Sequence, residues 1–122
     1  MFEIILEPDS EPPVLRLTGD LVMGPPAQSL GAAVQRLVAE GRPNVIFHVS
    51  AITTIDSTGL TALVSAHDTA QRAGGRIVLV QPSMRLRTAL DRTRLISMFQ
   101  VADDEAAAVQ CLRTSDPPHF IP

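Results

Sequence analysis

The chain has 122 residues, of which 45% are apolar and 19% charged, enough for one domain with its own core and too apolar for a disordered chain. A net charge of −3 argues against a nucleic-acid binder, which presents a clustered basic face. The single cysteine, Cys111, excludes an internal disulfide and a cysteine-built metal cage, and no apolar run approaches the ~20 residues of a membrane span.

The opening Met1–Glu7 carries acids where a secretory leader carries bases, so a cytoplasmic location is expected. Phe2 to Leu6 has the pattern of a first strand, and Pro8 to Pro13 that of a turn. A second strand resumes at Val14 and stops at Gly19-Asp20, and the short connection predicts antiparallel pairing of the two. Pro25 and Pro26 fit only the first turn of a helix. Behind them Leu30, Ala33, Val34, Leu37 and Val38 repeat at the spacing of one buried face, until Gly41 and Pro43 end the helix.

Asn44 to Val49 is a continuous apolar run broken only by His48, the pattern of a strand covered on both faces. His48 has no second ligand at a metal-binding spacing, so a hydrogen-bond partner at the strand edge or end is expected instead. A second long helix follows, with Leu60, Leu63, Val64 and Ala70 on one face, His67 packed and neutral beside them, and Gly74-Gly75 as its stop. Arg76 to Val80 is another buried strand. Ser83 is placed to cap a third helix carrying Met84, Leu86, Ala89 and Leu90, with Arg85, Arg87, Arg92 and Arg94 as a solvated face. A fifth strand is expected over Met98 to Val101. Asp103, Asp104 and Glu105 then open a last helix with the charge its dipole favours, and Thr114 to Pro122 has the composition of a loose tail.

The order is β-β-α-β-α-β-α-β-α, an α/β fold in a single domain over residues 1–113 with a flexible tail over 114–122. Strands separated by helices imply parallel pairing and right-handed crossovers. Binding sites of such sheets gather beyond the carboxyl ends of the strands. Asp56 and Ser57 fall there, in the stretch Thr53 to Leu60 between the third strand and the second long helix. Ser57 is expected to cap that helix, whose start favours an anion, so a phosphate on its hydroxyl would land where the dipole stabilises it.

Enzyme signatures are missing. No Gly-x-Gly-x-x-Gly, Walker-type loop or His-Glu-x-x-His occurs, and Ile55 stands where a serine-nucleophile elbow needs glycine. His48, His67 and His119 offer no evident base for Ser57. A phospho-aspartate receiver built on Asp56 lacks both the acidic pair after the first strand and the lysine, because all ten basic residues are arginine.

Four segments recur together in order: Gly19-Asp20-Leu21, Ile55-Asp56-Ser57-Thr58-Gly59-Leu60, Gly74-Gly75 and Arg92-Thr93-Arg94-Leu95. With them the chain resembles, over roughly residues 2 to 113, a STAS domain of the bacterial anti-sigma factor antagonist family. The resemblance implies a mixed sheet flanked by helices and a non-catalytic, partner-switching role in transcription regulation, without cofactor or metal. It implies that Ser57 is phosphorylated by an anti-sigma factor that is also a serine kinase, that the unphosphorylated form binds this kinase, and that a phosphatase resets the switch. Asp20, Met23, Gly24, Asp56, Ser57, Thr58, Gly59 and Leu60 are the implied partner surface, with no direct contact to nucleic acid and no membrane insertion.

The chain departs from the family pattern at Val22, where kinase-binding members often carry an acid. That leaves open a different kinase partner or a lost kinase interaction. Two other roles for such a domain are a non-catalytic STAS subunit of a transporter or other assembly, and a nucleotide-binding module. The second is disfavoured by the absence of lysine and by aromatic residues that are all phenylalanine.

Overall fold

The computed structural model describes residues 1–7 and 10–113; the expected tail over 114–122 and part of the proline-rich turn lie outside them. The elements follow the order β1 (Phe2–Leu6), β2 (Val14–Leu21), α1 (Pro25–Ala39), β3 (Val45–Ile55), α2 (Ser57–Arg72), β4 (Ile77–Val80), α3 (Met84–Arg92), a 3-10 turn (Ile96–Met98), β5 (Gln100–Ala102) and α4 (Glu105–Arg113). The five strands lie side by side in chain order. β1 is antiparallel to β2, as its short connection predicts, and all later neighbours are parallel.

Alternation along the strands sends side chains to two cores. Leu15, Leu17, Val45, Phe47, Val49, Ile77 and Leu79 pack with Leu30, Val34 and Leu37 of α1, Leu63, Ala66 and Ala70 of α2, and Leu86 and Leu90 of α3. Val14, Ile46, Val78, Val80 and Ala102 face the other way, onto Ala108 of α4. Ser83 caps α3 through its Oγ, which accepts the Leu86 N–H at 3.2 Å, and Asp104 caps α4 through the Ala107 N–H at 2.8 Å. The arginines of α3 and the turn after it are exposed as expected.

Three expectations are corrected. β3 does not stop near Val49 but runs to Ile55. β4 pairs only with Val45–His48, whereas β2 stays paired through Leu21↔Ile55 across two register shifts. The outer half of β3 therefore has exposed Ser50, Ala51, Thr53 and Thr54 around a buried Ile52, a composition that resembles a loop. The fifth strand starts at Gln100, because Met98 belongs to the 3-10 turn, its N–H bonded to the Leu95 carbonyl at 2.9 Å. In α2 the buried stripe is Gly59, Leu63, Ala66, His67 and Ala70, with Val64 beside it.

His67 is buried and its ring lies 5.1 Å from that of Phe99. Burial lowers its pKa, with the Asp68 charge a smaller opposing influence, so it is neutral near pH 7. His48 Nε2 lies 3.6 Å from Glu105 Oε1, which also accepts from Arg16 Nη2 at 2.9 Å; Arg16 Nε in turn donates to Glu7 at 2.7 Å. That separation is beyond hydrogen-bond reach, so instead of the expected hydrogen bond the histidine has a longer contact with the first residue of α4.

Candidate functional site

β2 and β3 end as direct neighbours, so the segments leaving them emerge at one edge of the sheet. The side chain of Asp56 joins them. Asp56 has extended backbone (φ −110°, ψ −177°) and is the N-cap of α2, its Oδ1 accepting the Gly59 N–H at 2.7 Å. Its Oδ2 accepts the Met23 N–H at 3.0 Å, from the segment between β2 and α1. The carboxylate thus ties a helix start to the neighbouring loop. The bond from Met23, followed by that from Gly59, holds the Asp56 pKa below its ordinary value, so the group is ionised near neutrality.

Ser57 is therefore not the cap, contrary to the sequence expectation. Asp56 stands one residue earlier, where backbone geometry lets a side chain fold back onto the first turn, and Ser57 is already the first helical residue. The Ser57 residue is exposed, and among the described residues its hydroxyl has no hydrogen-bond partner. Its carbonyl accepts the Thr61 hydroxyl at 3.0 Å. Modifying this hydroxyl would leave the cap in place. A phosphate there would lie beside the Asp56 charge, with the helix seat already held by the carboxylate.

Gly59 explains how closely the elements approach. A Cβ at this buried position would lie 2.0 Å from the Leu21 carbonyl oxygen and 3.1 Å from Ile55 Cγ1. α2 starts directly against the last residue of β2 because nothing projects there. The remaining expected residues surround this junction. Met23 is 71% exposed; Gly24 precedes α1 with φ of 98°, a conformation that favours glycine; Thr58 is exposed and Leu60 half-buried. Asp20 lies at the same edge but is engaged elsewhere. Its Oδ2 accepts the Met1 amino group at 2.9 Å and its Oδ1 the Thr53 hydroxyl at 2.9 Å. These bonds, the amino group's first, lower its pKa. Val22 contributes a carbonyl that accepts the Ala27 N–H at 3.2 Å and so helps to start α1.

Sequence reasoning missed a groove beside this junction. β4 ends at Val80 while β3 continues to Ile55, so α3 flanks the β3 edge that no strand covers. The resulting space, about 590 Å³, is lined by Thr54, Ile55 and Leu60 on one side and by Met84, Arg85, Thr88, Ala89, Arg92 and Thr93 on the other. The signal available was the spacing of Arg85, Thr88, Ala89 and Arg92, one stripe of a helix. Among the described residues no cluster of three or more His, Cys, Asp or Glu side chains is arranged to hold a metal ion.

A model of the STAS domain family matches residues 4–108. The chain belongs to the STAS domain family. Solved structures of this fold agree. An anti-sigma factor antagonist from Mycobacterium paratuberculosis superposes with a TM-score of 0.79 at 21% identity, over 93% of this chain and 96% of that one. The anti-sigma factor antagonist SpoIIAA in its unphosphorylated form gives a TM-score of 0.69 at 19% identity, over 91% and 98%. The Bacillus cell fate determinant SpoIIAA in its phosphorylated form gives 0.68 at 21%, over 88% and 98%. No curated protein matches the chain at a significant level. Among the described residues, no helix of this STAS domain is long and apolar enough to cross a membrane.

Proposed function

We propose that this STAS domain is a cytoplasmic anti-sigma factor antagonist that switches partners through Ser57. It binds an anti-sigma factor with serine kinase activity while Ser57 is unmodified, and releases it once the serine carries phosphate. A phosphatase restores the first state. The observation that carries this reading is the exposed, unbonded Ser57 hydroxyl placed directly after a carboxylate that holds both neighbouring segments in position. The likeness to SpoIIAA, solved in unphosphorylated and phosphorylated forms, supports it.

The physics of the switch is local. The Asp56 clamp holds Met23 and Gly59 in place without using the serine, and the proposed partner surface adds Asp20, Gly24, Thr58 and Leu60 around them. Phosphorylation adds about −1.5 to −2 charges next to the ionised Asp56. A partner surface matched to a neutral hydroxyl then meets an unpaired, desolvated charge, which costs on the order of a few kcal/mol. The chain itself is the phosphoacceptor and carries no catalytic group in this scheme. Incubation with ATP and a candidate anti-sigma factor kinase, followed by peptide mass spectrometry, is expected to place phosphate on Ser57 and to find none in Ser57→Ala. Phosphate on Thr58 or elsewhere would overturn the assignment.

A further inference from the structure

We infer that the groove between the outer half of β3, the start of α2, and α3 is a second docking site, which takes an acidic, amphipathic segment of the partner protein. The inference deepens the partner-switching reading and rests on it for the partner's identity, but apart from Leu60 it stands on different residues. The groove has an apolar wall from Ile55 and Leu60, joined by Met84, which is 82% exposed. Arg85 and Arg92 line the α3 side together with Met84, and among the described residues no carboxylate lines the groove. Both arginines are exposed, and among the described residues neither is paired with an acid. In a chain of net charge −3, this is a locally positive surface with an apolar base.

Geometry selects the occupant. Arg85 and Arg92 are seven residues apart on one helix, which puts them on the same face and about 10 Å apart along its axis. At that spacing each guanidinium can engage a separate carboxylate. The spacing matches two carboxylates two turns apart on one face of a helix. An unbranched, polarisable Met84 and the apolar side chains between the two charges suit leucine-like residues on the same face of that segment. The threonines at 54 and 88 add hydroxyls to the lining. Arginine forks carboxylates in two-point contacts, so both ends of the segment would be fixed in register. Leu60 belongs to the groove and also to the first turn of α2, so the site adjoins the switch without including Ser57.

The test uses a synthetic amphipathic peptide with two glutamates seven residues apart and leucines on the same face, titrated into the isotopically labelled full chain. Saturable amide shifts are expected at Ile55, Leu60, Met84, Thr88 and Arg92. The affinity should fall about tenfold or more in Arg85→Glu/Arg92→Glu, and this difference should shrink at high salt. An equal charge change at two exposed arginines elsewhere, Arg36→Glu/Arg72→Glu, should leave the affinity within twofold. Shifts outside the groove, equal loss in both double variants, or no binding would overturn the inference. So would tighter, arginine-dependent binding of ATP or of phosphatidylglycerol vesicles than of the peptide. Thermal melts check that both double variants remain folded. In a separate arm the same variants are offered to the kinase: a raised KM for Ser57 labelling with unchanged kcat supports the docking role. If no kinase labels Ser57, the switch reading fails while the peptide titration still decides the groove.

Discussion

Gly59→Ala places a methyl group where the structure has least room. The new Cβ would lie 2.0 Å from the Leu21 carbonyl oxygen and 2.9 Å from its carbon. Backbone on one side and a helix start on the other leave no flexible side chain to give way. Overpacking of this kind reaches about 3 kcal/mol, and the better helix propensity of alanine returns about 1 kcal/mol, for a net loss of about 2 kcal/mol. Unfolding entropy of ~2.1 cal/mol/K per residue over 122 residues converts this to a fall in Tm of about 8 °C. Gly31 in α1 is the control, since a Cβ there meets nothing within 4 Å. Gly31→Ala should therefore gain about 1 kcal/mol and raise Tm by about 4 °C. Differential scanning calorimetry of the two variants gives opposite signs if close approach of α2 to β2 dictates the glycine. A rise in Tm for Gly59→Ala, matching that of Gly31→Ala, would refute the argument.

The capping assignment makes a matched prediction. Ser57→Ala should change stability by no more than about 0.5 kcal/mol, as at an ordinary surface position; a loss near 1 kcal/mol in urea denaturation would return the cap to Ser57. Asp56→Ala should instead speed amide hydrogen exchange at both Met23 and Gly59, and protection retained at either amide would contradict the clamp. The Asp56 pKa is depressed in the folded state, so its contribution is present above the ordinary carboxylate value and is lost as pH falls through the folded pKa. The protection it gives Met23 should vanish only in acid, below about pH 4. The His67 pKa is also depressed, and for this base the unfolded state takes up the proton first. Stability should decline as pH falls below about 6.5, and the decline should be shallower in His67→Leu; identical profiles would refute the role of the buried imidazole.

The inner parts of the fold were legible because periodicity and burial coincide there. Leu30, Val34 and Leu37 mark one face of α1, and Ile77–Val80 are buried throughout β4. β3 outruns its apolar run because its outer half is paired on one side only, and two exposed residues on each side of the buried Ile52 break the alternation that marks a strand. The site was legible in position, since Asp56 and Ser57 do lie at a strand's carboxyl end, but the division of labour between them was not. Serine and aspartate are both good caps, and only backbone dihedrals show which of two adjacent residues holds the N-cap position. The groove was illegible for a related reason. Arg85 and Arg92 have the spacing of any solvated helix face, and their setting depends on β3 outrunning β4, a difference in strand length that composition does not reveal.

The central claim is that charge on Ser57 controls partner binding while the fold stays the same. Titration calorimetry of the anti-sigma factor kinase against the unmodified chain and against the chain phosphorylated at Ser57 measures this directly. An affinity at least about thirtyfold weaker is expected for the phosphorylated chain, corresponding to about 2 kcal/mol, with the melting transition of the chain itself little changed. Equal affinity of the two forms, or a loss of binding that accompanies unfolding of α2, would contradict it.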